Sequence, residues 1–192
     1  MEHNVHVLHQ SHAPLRLPVV VGDDASLLHS VAVIVYNLGF LPRQPENRAV
    51  QTTATTTLAS LADAALILRV GGLLSVMTYP RSNPHEHAVV RAFVEGLALF
   101  TSQTRDWREY AETVPLLVRK QPDHGGGSSS SSSPEEEEKD HDDDETNLRA
   151  QLIRCLEHVW DQGDAQQTWR VHENRKLGWT DAPILLTATR IK

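Results

Sequence analysis

One cysteine, Cys155, leaves no partner for an intramolecular disulfide and fits a reducing, intracellular compartment. It falls on the apolar face of a predicted helix, where an inert thiol is the expected state. No run of roughly 18 apolar residues occurs, which excludes a membrane-spanning helix. The opening Met1-Glu2-His3-Asn4 has neither the basic nor the apolar segment of a secretory signal. There is no Gly-x-Gly-x-x-Gly turn, since Gly125–Gly127 follow no predicted strand. There is no Gly-x-Ser-x-Gly elbow either, so serine hydrolysis has no support. Zinc-type Cys/His spacing is missing as well. His3, His6, His9 and His12 recur every third residue, which in a strand alternates faces, and His85 and His87 point in different directions on a helix. No metal site is expected.

Basic charge is also scarce, but unevenly so. Within Pro134–Glu145, nine acids oppose Lys139 alone, a local charge of −8 against a whole-chain value of −7. The rest therefore sums to −7 + 8 = +1, near neutrality. No basic stripe announces a nucleic acid, and none of this balance excludes one. At 192 residues and 40% apolar content, one domain with a real core is expected.

What is present centres on Val31-Ala32-Val33-Ile34-Val35-Tyr36-Asn37-Leu38-Gly39-Phe40-Leu41-Pro42. Five apolar residues in succession predict a strand buried on both faces, as at the centre of a parallel sheet. It ends in a turn marked by Asn37, Gly39 and Pro42. In open α/β sheets the crevice beyond the carboxyl ends of the strands receives ligands, which puts Asn37, Gly39 and Phe40 at the mouth of a site. Asn37 and Gly39 serving only as turn residues is the competing reading.

Around this strand the chain alternates. Val5–His9 predicts a short strand, and residues 13–30 a loop with one helical turn. The spacing of Leu58, Leu61, Ala62, Ala65 and Leu68 predicts a helix over 55–69, capped by a threonine and ended by Gly71-Gly72. Leu73–Tyr79 predicts a second parallel strand. Asn83-Pro84-His85-Glu86 is a helix start, with a cap, a proline at the first position and a glutamate three residues after the cap. Residues 121–146 are a low-complexity Gly/Ser/acidic insertion, expected to be disordered coil. Leu148, Leu152, Cys155, Leu156 and Val159 mark a further helix with Thr146 near its cap, and Trp169–Glu173 and Ile184–Ala188 are two closing strands.

The Asn37-x-x-Phe40 spacing resembles the (Asp/Asn)-Pro-Pro-(Tyr/Phe) signature of amino-methyltransferases. Asn37–Pro42 is more closely similar to the Asn-Leu-Gly-Tyr/Phe-Leu-Pro motif of the small S-adenosylmethionine-dependent rRNA methylases, whose members methylate the aminomethyl group of the tRNA wobble uridine. The resemblance continues in Thr55–Leu58, Val70–Leu73, Tyr79, Asn174 and Pro183, and spans most of the chain outside residues 101–147. It departs at Gln10, which stands where an acid usually precedes Ser11-His12, and at Arg43–Arg48, which replaces a Gly-Gly-Asp-Lys-like stretch.

That resemblance implies a Rossmann-like class I methyltransferase sheet, α/β, with strand order 3-2-1-4-5-7-6, of which this chain supplies strands 3 to 7. Residues 1–192 then read as a partial domain, N-terminally truncated, without the strands that carry the glycine turn and the ribose-binding acid. The implied activity is S-adenosylmethionine-dependent methylation of RNA, tRNA above all. The isolated chain is expected to bind the cofactor weakly or not at all, and the enzyme to be active if the missing half is supplied; a non-catalytic remnant binding RNA or a partner is the alternative. The implied catalytic residues are Asn37 and Phe40. Cofactor contacts fall to Ser11, His12, Asn37 and Leu38, and substrate contacts to Gly39, Phe40 and Tyr79. The uncovered edge of Val31–Val35 is expected to be met by Val5–His9, or by a homodimer or partner chain.

Overall fold

The computed structural model describes residues 29–38, 53–100, 106–116, 134–163, 167–176, 178–179 and 182–192, with the backbone alone for 134–144. In chain order these form β1 (Val31–Asn37), α1 (Ala54–Ile67), β2 (Leu68–Thr78) and α2 (Pro84–Ala98). After them come α3 (Asp106–Thr113), α4 (Pro134–Gln162), β3 (Trp169–Asn174) and β4 (Ile184–Arg190).

The four described strands lie in the order β1-β2-β4-β3. β1 runs parallel to β2, while β4 is antiparallel to both β2 and β3. This matches the 4-5-7-6 part of the order that the resemblance implies, including the closing antiparallel hairpin. Val5–His9 lies outside the described residues. The helices touch one another as a single layer, α1 against α2 and α4, and α3 against α2 and α4. Ile34, Tyr36, Leu74, Val76, Leu186 and Ala188 turn towards that layer and form the core with Leu58, Leu61, Phe93, Leu97, Leu152 and Leu156.

Local chemistry explains the element starts. Thr53 caps α1 reciprocally: its hydroxyl accepts from Thr56 N at 3.2 Å, and Thr56 Oγ1 accepts from Thr53 N at 3.1 Å. Asn83 caps α2 with Pro84 at the first position, as the sequence predicts. At the far end of the sheet, the buried Arg190 guanidinium donates to Leu68 O at 3.0 Å and contacts His29 Nδ1.

Five expectations are corrected. Val31–Val35 is not buried on both faces: Val33 and Val35 are 55% and 70% exposed, and among the described strands β1 is an edge. A run of valines fixes strand propensity but not the number of layers packed on it. The α1 helix stops at Ile67, with Leu68 capping it in an extended conformation, so Gly71-Gly72 do not end it. They sit inside β2, where Val31 pairs with Leu68 but Val33 with Leu73, an irregularity that accommodates the extra residues. Gly71 has φ +76, which a glycine adopts without cost. β2 correspondingly begins five residues before the predicted Leu73 and ends at Thr78, with Tyr79 just beyond it.

The acidic run is likewise not coil. Its backbone is the first part of α4, which begins at Pro134 and leaves Thr146 inside the helix. Glutamate is a good helix former, acids are favoured near a helix N-terminus, and proline is preferred at its first position. Finally, α3 is a helix that no expectation covered. Its Trp107 is fully buried and joins Phe100 and Trp160 in an aromatic cluster, with ring centroids 5.9 and 6.3 Å from Trp107.

Gly72 gives a direct stability test. A Cβ there would sit 2.7 Å from Arg69 O and 3.0 Å from Val31 O, backbone atoms that cannot step aside. Gly72→Ala is expected to cost about 1–3 kcal/mol in chemical denaturation. An unchanged midpoint would contradict the described irregularity.

Candidate functional site

Parallel pairing brings the carboxyl ends of β1 and β2 side by side, with Asn37 opposite Met77. Leu38 N continues the ladder, donating to Met77 O at 2.9 Å. Tyr79, two residues past Met77, then reaches back across the gap. Its hydroxyl donates to Asn37 Oδ1 at 2.9 Å. Asn37 is exposed and Tyr79 half-buried, so this pair lies at the surface of the crevice rather than within the core.

Of the residues singled out from sequence, the structure thus brings Asn37 and Tyr79 into direct contact. Leu38 is adjacent, but its side chain is 3% exposed and belongs to the core, which leaves only its backbone for a ligand. Ser11, His12, Gly39 and Phe40 lie outside the described residues.

The same end of the sheet gathers the starts of α1 and α2. Glu86, 3% exposed, accepts from Thr57 Oγ1 at 2.8 Å through Oε1 and from Asn83 Nδ2 at 3.0 Å through Oε2. Sequence spacing assigns Glu86 to the α2 cap; the link to Thr57 is tertiary and leaves no local signal. Thr78 Oγ1 meets His87 Nδ1 at 2.8 Å, and burial pushes the His87 pKa below its ordinary value. Tyr36 ties β1 to α1: its hydroxyl donates to Ser60 O at 3.1 Å and shares a 2.7 Å contact with Ser60 Oγ, while burial raises its pKa.

A separate groove of about 520 Å³ lies between α1 and α4, lined among others by Asp63, Gln151, Arg154, Cys155 and His158. Burial lifts the Cys155 thiol to about 11, so little thiolate exists near neutrality. Among the described residues no three His, Cys, Asp or Glu side chains converge as metal ligands, and no helix is long and apolar enough to cross a membrane.

Chemically, the Asn37–Tyr79 pair can hold a carboxamide plane in one orientation. A carboxamide oxygen has two acceptor sites, and the tyrosine occupies one of them. The other can accept an N–H from a ligand. A carboxamide is not a base, so Asn37 can orient a nucleophile but cannot deprotonate it.

S-Adenosylmethionine is the cofactor that the resemblance implies, and in such folds a glycine turn and a ribose-binding acid at the strand ends hold it. The described carboxyl ends of β1 and β2, Asn37–Leu38 and Thr78–Tyr79, carry neither a glycine turn nor a carboxylate for a ribose. The described residues do not fit that group, and no step is derived through it.

Comparison with known proteins follows the same line. A family model described as "Putative rRNA methylase" matches residues 1–114. The tRNA (mnm(5)s(2)U34)-methyltransferase, chloroplastic, of Arabidopsis thaliana is 39% identical over 69 residues, 35% of this chain and 24% of that protein. The chain therefore spans about a quarter of the length of this curated relative, 24%. No solved structure matches. The family model covers the Asn37 strand end, α1, β2 and α2 together, 114 of 192 residues, and the chain belongs to the rRNA methylase family.

Proposed function

We propose that this protein presents the acceptor side of an RNA methyltransferase site, orienting an aminomethyl nitrogen of a tRNA uridine for methylation. The observation that carries this reading is the Tyr79–Asn37 hydrogen bond at the carboxyl edge of the sheet. The relative's printed activity on a modified U34 supports the choice of substrate.

The acceptor chemistry suits the geometry. An alkylamine has a pKa near about 10 and is protonated at neutral pH. It must lose a proton to solvent before its lone pair can attack. Asn37 Oδ1 then accepts one remaining N–H and aims the lone pair outward from the crevice, which is catalysis by orientation. Phe40, three residues on, is assigned to stack on the uridine base, a contact of about 1–3 kcal/mol in single-stranded recognition. S-Adenosylmethionine is the methyl donor that the family implies; of the residues assigned to it, Asn37 and Leu38 are described while Ser11 and His12 are not.

The sequence holds no Gly-x-Gly-x-x-Gly turn, and that favours a second reading, a non-catalytic module binding RNA through the same crevice. One experiment separates the two. The protein is incubated with saturating S-adenosylmethionine and tRNA carrying aminomethyl-uridine, and the digested nucleosides are analysed by mass spectrometry. A methylated aminomethyl-uridine supports the methyltransferase. RNA binding without product supports the module.

A further inference from the structure

Glu86 is a buried carboxyl group that the proposed chemistry does not use. Capping a helix does not require burial, because a glutamate in the first turn does this work while exposed to water. Glu86 is nevertheless 3% exposed, and its second oxygen is committed to α1, 29 residues away in sequence, through Thr57. Sinking a carboxyl group is costly unless its oxygens are satisfied by donors, and here each oxygen has one.

The bonds continue from Glu86 to the site without a break. Glu86 N donates to Asn83 Oδ1 at 3.2 Å, while Asn83 Nδ2 donates back to Oε2. The Asn83 side chain is thereby held from both ends. Asn83 N donates to Tyr79 O at 2.9 Å, and Ser82 N donates to the same oxygen at 3.0 Å. That closes the turn from Tyr79 to Asn83 and fixes the Tyr79 backbone, whose hydroxyl reaches Asn37 Oδ1.

We infer that Glu86 is a positioning residue: through Asn83 and the turn it closes, it sets Tyr79 on Asn37, with Thr57 anchoring the assembly to α1. Its kinetic consequence rests on the methyltransferase reading above; its structural consequence does not. The requirement is for two hydrogen-bonded contacts of fixed geometry rather than for charge. A glutamine can supply them, with its oxygen towards Asn83 Nδ2 and its amide nitrogen donating to Thr57 Oγ1, a hydroxyl able to accept. An alanine supplies neither.

The test reads the Asn37 side-chain amide by NMR in the whole protein, alongside steady-state methyl transfer. Glu86→Ala is expected to shift the Asn37 amide resonances and lower kcat by about 10²-fold, the scale of a small misplacement of reacting groups. KM for RNA is expected to stay within about two-fold. Glu86→Gln is expected to restore both readouts. Should Glu86→Ala fail to fold, Thr57→Val removes one of the two bonds at nearly constant shape and should move the same resonances less. Unmoved Asn37 resonances in the folded variants, or a glutamine as damaging as the alanine, would overturn the inference. A wild-type protein without methyl transfer would defeat the methyltransferase reading alone, because the NMR comparison still decides the role of Glu86.

Discussion

In the complete enzyme, Asn37→Ala is expected to lower kcat for methyl transfer by about 10²-fold or more, while KM for the methyl donor changes less than about two-fold. The alanine keeps the strand end but removes the oxygen that Tyr79 orients at 2.9 Å. A nitrogen nucleophile would then rotate freely at the mouth of the crevice, and the loss falls on the chemical step. Removal of a group that acts only by aiming the acceptor leaves donor binding untouched. Tyr79→Phe should have a smaller effect in the same direction, since Asn37 Oδ1 survives but is no longer held. Initial rates at saturating donor and RNA measure both. Turnover retained within a few-fold in Asn37→Ala would reduce that residue to a turn former.

Trp107→Ala is expected to reduce the unfolding free energy by about 3–5 kcal/mol. Trp107 is fully buried where α3 meets α2 and α4, and its ring packs against those of Phe100 and Trp160. An alanine leaves a cavity between three helices that cannot easily close. Trp107→Phe should cost distinctly less. It keeps an aromatic ring, and it removes an indole N–H that has no hydrogen-bond partner among the described residues. Urea denaturation of the two variants gives the comparison. A phenylalanine as costly as the alanine would mean that the indole N–H is satisfied after all.

The parts of this fold legible in the sequence are those decided within a few residues. Asn83-Pro84-His85-Glu86 starts a helix because its cap, its proline and its glutamate act inside one turn. A threonine caps α1 for the same reason. The closing hairpin is read from Trp169–Glu173 and Ile184–Ala188, and the strand order agrees with the one that the resemblance implies.

The parts misread are those where one local signal serves two structures. Gly71-Gly72 permits positive φ, which both a helix stop and a strand irregularity use, and only the pairing with β1 decides between them. A run of glutamates and aspartates is a composition shared by solvated coil and by the N-terminal turns of a helix, and α4 takes the second. Five consecutive apolar residues predict a strand but do not say that Val33 and Val35 face away from the helix layer.

The candidate site divides in the same way. Asn37 and Tyr79 are each visible as strand-end residues, yet their contact depends on the register of two strands 42 residues apart at that point. The link from Glu86 to Thr57 is longer-range than any spacing rule and emerges only when α1 and α2 pack.

The most direct measurement of the proposed acceptor chemistry compares two tRNAs that differ at one group. One carries an aminomethyl substituent on the wobble uridine and the other an unmodified uridine, each with radiolabelled S-adenosylmethionine and the complete enzyme. The account predicts label in the first RNA and none in the second, because only the alkylamine offers a nitrogen for Asn37 to orient. Equal labelling of both, or label in neither, would contradict it.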